Sequence, residues 1–208
     1  MLNIENAEMF GWEAAIRGMR NPLNSWAKMD TKYFDEFGWE EVTIGENDLS
    51  LMKRLSAAGS DHGKFLRMIN VTCDIDAPLY WWKEFDTYKV GTVANSCSTM
   101  HKIHAKEFVL DDFSHEHLRG LYLRNLESTI VLLNDARAEY LESKDKDDWW
   151  KMIQILPTSY NQRRTVQMNY QVLKNMYLSR RNHKLDEWHT LCDWMLTLPY
   201  FKEVCVDV

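Results

Sequence analysis

Among the residues able to do chemistry, the basic side chains near the C-terminal end carry the clearest pattern. Arg163 and Arg164 follow a break at Pro157, and Arg180, Arg181, His183 and Lys184 cluster 17 residues later. If a single helix joined Arg163 to Arg180, that spacing would span about 25 Å. One small anion could not then touch both arginines of the same chain. They are independent solvated charges, or members of two anion sites, or partners in an assembly where Arg163 of one copy meets Arg180 of another. Forked arginine contacts are the expected way to hold a phosphate here, because no glycine-rich cradle exists: G-x-G-x-x-G and G-x-x-x-x-G-K-[ST] are both missing. G-x-S-x-G is missing too, which argues against a nucleophile elbow. His101 and His104 lie three apart and His115 and His117 two apart, with no Cys or Glu at a diagnostic spacing, so solvated histidines are expected and no metal.

Charge narrows the ligand class. The 208 residues hold 25 Lys and Arg against 31 Asp and Glu, a net of −6, which disfavours a general binder of nucleic-acid backbone. A discrete small anion stays compatible with that balance. Eight Gly and four Pro are few turn formers, and favour long helices over many short strands. Cys73, Cys97, Cys192 and Cys205 are scattered without a C-x-x-C pair, and no run approaches the length of a membrane span. The start, MLNIENAEMF, has no charged region followed by an apolar one. A reduced, cytoplasmic protein without membrane or nucleic-acid partners is expected.

The elements that must position these side chains follow from periodicity. Residues 10–26 mix helix formers with a break at Asn21 and Pro22. Residues 47–58 predict a helix capped by Asn47, with Leu49, Met52 and Leu55 recurring and Gly59 ending it. From 69 to 75, Ile69, Val71, Cys73 and Ile75 alternate with polar residues, as on a strand with one buried face. Pro78 suits the first turn of the next helix. Residues 89–100 are small and polar and read as a loop. A long helix is expected over 114–142, with Leu118, Leu121, Leu126, Ile130, Leu133, Ala136 and Tyr140 on one stripe, then helices over 149–156, 166–180 and 185–197. The sum is an α+β chain, helix-rich with a small sheet.

Three blocks resemble the flavin-dependent thymidylate synthase family. His62, within 61–65, stands where that family has a flavin-contacting His ahead of a central strand. The run IDAP at 75–78 leads into a helix as in the family's strand, Ala-Pro step and helix. Residues 156–180, LPTSYNQRRTVQMNYQVLKNMYLSR, place Leu156 and Pro157, Arg163, Asn169 opening a helix, and Arg180 near its end at the family's offsets. The likeness is clearest over 45–200, and it implies a single domain over 1–208 with a small central antiparallel sheet, as in thymidylate synthase-complementing proteins. It further implies a homotetramer with sites shared between subunits, binding FAD and a pyrimidine nucleotide such as dUMP. The reaction it implies is C5 methylation with methylenetetrahydrofolate and NADPH. By position, Arg163 and Arg180 would hold the nucleotide, and His62 and Asn169 the flavin.

The family loop R-H-R-x-x-S-x-N-x-x-S-x-R-Y falls on residues 87–100, TYKVGTVANSCSTM. Lys89 alone keeps a positive charge where the arginine pair belongs, Thr92 replaces Ser, Asn95 is one place late, and Thr99 with Met100 replaces Arg-Tyr. Lys89, Thr92, Ser96 and Ser98 are the further nucleotide contacts this placement implies. Cys97 falls on the second Ser, where a thiolate could add to a pyrimidine C6 with Lys89 lowering its pKa; the alternative is a small buried Cys filling a gap. His62 capping its turn, Asn169 capping its helix and Trp81 and Trp82 packing in the core, rather than stacking on a base, are the corresponding structural readings. Two functions remain open: a flavin-dependent enzyme, or an inactive nucleotide binder such as a phage-type sponge.

Overall fold

The computed structural model describes residues 2–36 and 39–208. In chain order its first half holds β1 (Asn3–Phe10), α1 (Trp12–Arg20), β2 (Lys32–Glu36), β3 (Trp39–Thr43), α2 (Glu46–Ala57) and β4 (Asn70–Pro78). There follow α3 (Leu79–Phe85), β5 (Val93–Ser96), α4 (Leu121–Ser143), α5 (Lys146–Ile155), β6 (Asn161–Asn169), α6 (Tyr170–Arg180) and α7 (Asp186–Met195). β2 and β3 form an antiparallel hairpin, and the remaining strands make a four-stranded sheet of order β1-β4-β6-β5. The α+β expectation, helix-rich with a small antiparallel sheet, is therefore met. Among the described residues no helix is long and apolar enough to cross a membrane.

Contacts divide the chain into two units. The first takes Ile75–Thr87 and Asn95–Arg164 together with Asn3, and the second takes Ile4–Asp74, Tyr88–Ala94 and Thr165–Val208. In the first, Leu126, Ile130, Leu133 and Ala136 of α4 close on Met152 of α5 and on Phe108 and Phe113. In the second, Trp12 is fully buried against Tyr170, with ring centroids 5.4 Å apart.

The alternating run made β4 as expected, with Val71, Cys73, Ile75 and Ala77 buried. Five expectations need correction. Asn47 lies inside α2, whose end is capped by Asp30: its carboxylate accepts from the Asn47 and Asp48 backbone N–H groups at 2.9 and 3.1 Å. A Cβ at Gly45 would fall 2.2 Å from Asp30 Cγ, so glycine is what lets that carboxylate reach the helix end. The long helix α4 starts at Leu121, because Ser114 is drawn off to bond Asn161 Oδ1 at 2.8 Å and Gly120 breaks the backbone; Leu121 on the expected stripe is exposed. The loop at 89–100 contains β5, an exposed strand. Most consequentially, the helix expected over 166–180 is the strand β6 followed by α6, so no single helix joins Arg163 to Arg180 and the 25 Å estimate does not apply. Pro78 ends β4 and caps α3 with extended backbone, so it precedes the helix and does not occupy its first turn.

Candidate functional site

Two neighbouring strands, β4 and β6, build the site. Their buried faces carry Val71, Cys73 and Ile75 on one and Val166 and Met168 on the other, so the opposite faces carry Asp74, Asp76, Arg163 and Thr165. The polar pairs step in opposite directions along the two strands, as antiparallel neighbours do. Thr165 Oγ1 donates to Asp74 Oδ1 at 2.5 Å, and Arg163 meets Asp76. The guanidinium donates from Nε to both Asp76 oxygens, at 3.2 and 3.0 Å, and from Nη2 to Oδ2 at 2.5 Å.

Arg163 also anchors the loop after β5. Its carbonyl accepts from the Cys97 N–H at 2.9 Å, and buried Gln162 donates from Nε2 to the Cys97 carbonyl at 2.7 Å. Cys97 is exposed, which rules out the gap-filling alternative. Ser98 Oγ accepts from the backbone N–H groups of Met100 and His101 at 3.2 and 2.9 Å, folding the loop into a turn. Between these elements lies a cavity of about 480 Å³, lined by Arg163, Asp76, Cys97, Ser98, Tyr160 and further residues including Lys106, Asp111 and Asp112. Burial, with the Asp112 and Cys97 charges adding to it, pushes the Tyr160 phenol above its ordinary value, so it faces the cavity as a neutral hydroxyl. The charges lining the cavity are two cations and three carboxylates, and Lys106 is paired with Asp112.

Of the other expected site residues, Arg180, Asn169, His62, Lys89 and Thr92 lie in the second unit and Ser96 in the first. Arg180, at the end of α6, donates from Nε to the Tyr88 hydroxyl at 3.0 Å, and its guanidinium carbon sits 4.9 Å from the centre of the Trp188 ring. Asn169 caps α6: its Oδ1 accepts from the Val172 N–H at 3.0 Å. His62 is exposed and makes no side-chain cap to the turn Gly63–Arg67 that follows it. Lys89 is exposed, and Thr92 Oγ1 donates to the Tyr88 carbonyl at 3.1 Å. Ser96 is exposed at the end of β5. Trp81 and Trp82 are fully buried, and Arg164 lies 4.2 Å over the Trp82 ring while bonding Asp86 at 2.9 Å. Neither tryptophan has a face to offer a base, and Arg164 is a packing residue. The described residues contain no group of three or more His, Cys, Asp or Glu side chains able to hold a metal.

Sequence reasoning missed Asp76, Gln162 and Tyr160. A signal for the strand that carries Gln162 was present, since Val166 and Met168 alternate with Thr165 and Gln167, but the helical reading of 166–180 absorbed it.

Solved structures match along nearly the whole chain. Thymidylate synthase X from Helicobacter pylori with FAD and dUMP superposes with a TM-score of 0.70 at 16% identity, covering 100% of this chain and 98% of that one. A second structure of the same enzyme with FAD and dUMP gives 0.68 at 16% identity over 98% and 99%. A UMP/dUMP methylase from Streptomyces cacaoi bound with 5-Br dUMP gives 0.61 at 13% over 95% and 88%. The fold is that of the flavin-dependent thymidylate synthases. No family model and no curated protein matches the chain in sequence. The thymidylate synthase fold thus persists here on a largely replaced set of side chains. FAD carries two phosphates and a three-ring system. The residues assigned to it in one chain are an exposed imidazole and an amide whose oxygen already caps a helix. That set does not fit FAD by itself.

Proposed function

We propose that the protein binds a pyrimidine deoxynucleotide such as dUMP in the cavity beside Arg163, and that it performs reductive C5 alkylation, of methyl or hydroxymethyl type, on the base. The likeness of fold to three structures solved with dUMP or its 5-bromo analogue, along nearly the whole chain, carries this reading. Support comes from the cavity itself: its volume of about 480 Å³ suits a mononucleotide, and it brings Arg163, Cys97 and Ser98 to one place. In this reading Arg163 takes the phosphate, Tyr160 donates a hydrogen bond, and the exposed Cys97 thiol is the nucleophile available for addition at C6. Methylenetetrahydrofolate and NADPH are the co-reactants this reaction class uses. FAD is the cofactor, and because one chain lacks a fitting set for it, neighbouring copies in a homotetramer must complete its site. Arg180, Lys89, Thr92, Ser96, His62 and Asn169 are then contributors to such shared sites.

A second reading, an inactive nucleotide binder, draws on the loop at 87–100, where Lys89 is the only cation. One experiment separates the two. The absorbance spectrum of the purified protein is recorded with and without added FAD, and thermal midpoints are compared with dUMP, FAD and both. Flavin bands with a rise in midpoint for dUMP support the enzyme. A rise for dUMP with no flavin uptake supports the binder, and no shift with any nucleotide refutes both.

A further inference from the structure

We infer that Asp76 sets the phosphate affinity of this cavity by competing with the ligand for Arg163. The inference rests on the nucleotide reading for its ligand, and on the contact between Arg163 and Asp76 for its geometry. Arg163 presents its Nε and Nη2 edge to Asp76, and this is the edge that grips a phosphate with two parallel hydrogen bonds. A phosphate can take that edge only by displacing the carboxylate. Asp76 has little freedom to withdraw: it is fixed on β4 between buried Ile75 and Ala77, whose alternation holds its side chain on the Arg163 face. Nor does the cavity supply a spare cation. Its three carboxylates outnumber its two cations, Lys106 is engaged by Asp112, and Asp111 adds a further negative charge.

The pair is nonetheless exchangeable. Its side chains are 44% and 31% exposed, and an ion pair so open to solvent is weak. A phosphomonoester dianion, with twice the charge of a carboxylate, can displace it, but the displaced Asp76 then stands beside the phosphate and repels it. The cavity therefore discriminates weakly between a nucleoside and its monophosphate, and Asp76 is the residue that blunts the difference.

Calorimetric titration of the full-length protein tests this with dUMP, deoxyuridine and inorganic phosphate as probes, against wild type, Asp76→Asn and Asp76→Ala at fixed ionic strength. Removing the carboxylate should tighten dUMP and phosphate by about five- to tenfold, as expected for one unit charge lost next to a phosphate near the surface, and leave deoxyuridine unchanged. Thermal midpoints identify a variant that fails to fold, in which case the other is read. Tightening of phosphate without any binding of dUMP upholds the competition and refutes the nucleotide reading. Unchanged or weakened binding of dUMP and phosphate in folded variants overturns the inference, as does failure of phosphate to bind any of the three proteins.

Discussion

Replacing Asp48 with Ala should destabilise the protein more than any surface change. Asp48 is fully buried and Arg20 is 3% exposed, and they meet with Arg20 Nε donating to Asp48 Oδ1 at 2.6 Å. The other carboxylate oxygen accepts from the Asp30 and Thr31 N–H groups, both at 3.0 Å, and from Thr31 Oγ1 at 2.7 Å. Burial pushes the Asp48 carboxyl upward, but the hydrogen bonds from Thr31, Asp30 and Arg20, together with the Arg20 charge, outweigh it and hold the group below its ordinary value. Removing one member of a buried pair costs about 3–5 kcal/mol, because the partner charge is left uncompensated. At about 2–4 °C per kcal/mol for a chain of this size, the midpoint should fall by about 6–20 °C. The double variant Arg20→Met with Asp48→Leu should recover only part of this, since the Thr31 and Asp30 donors stay buried without an acceptor. The sign with pH follows from the lowered folded-state value. The contribution of Asp48 is complete above the unfolded carboxylate range near pH 4 and fades as pH falls through the folded value below it. Circular-dichroism melts from pH 7 to pH 3 measure both effects. A fall smaller than about 3 °C for Asp48→Ala at pH 7 would refute the reasoning.

Three more outcomes are expected. Asn169→Ala removes the α6 cap and should cost about 1 kcal/mol, or about 2–4 °C, whereas Asn169→Asp keeps an acceptor and should stay near wild type; equal midpoints for all three contradict the capping role. Cys73, Cys192 and Cys205 are buried, and desolvation lifts their thiols to about 12, 11 and 12, so an aromatic disulfide reagent at pH 8 should modify Cys97 alone. Labelling that survives Cys97→Ser in the folded protein would be inconsistent with that assignment. Light scattering should report a mass of about 99 kDa, four times the 24.7 kDa chain, if sites are shared in a tetramer; a 24.7 kDa particle removes the shared-site part of the proposal.

What was legible in the sequence followed from how strongly burial marked each element. β4 was readable because Val71, Cys73 and Ile75 alternate over an otherwise polar run. Strand β5 was not, since all four of its residues are exposed and nothing in their polarity records a buried face. β1 carries a mostly exposed pattern for the same reason. In β6 the alternation is present but runs directly into the apolar face of α6, and Asn169 is the only punctuation between them. Arg163 was found as a chemical residue, whereas Asp76 was not, because its meaning comes from the strand pairing that places it against Arg163. The capping of α2 by Asp30 is of the same kind: a contact 17 and 18 residues away that local spacing does not encode.

A crystal of the protein soaked with 5-bromo-dUMP, measured at the bromine absorption edge, reports the location of the base directly. The account predicts an anomalous peak within the cavity between Cys97 and Tyr160, with the phosphate on Arg163. A peak elsewhere on the protein, or none at saturating nucleotide, would contradict it.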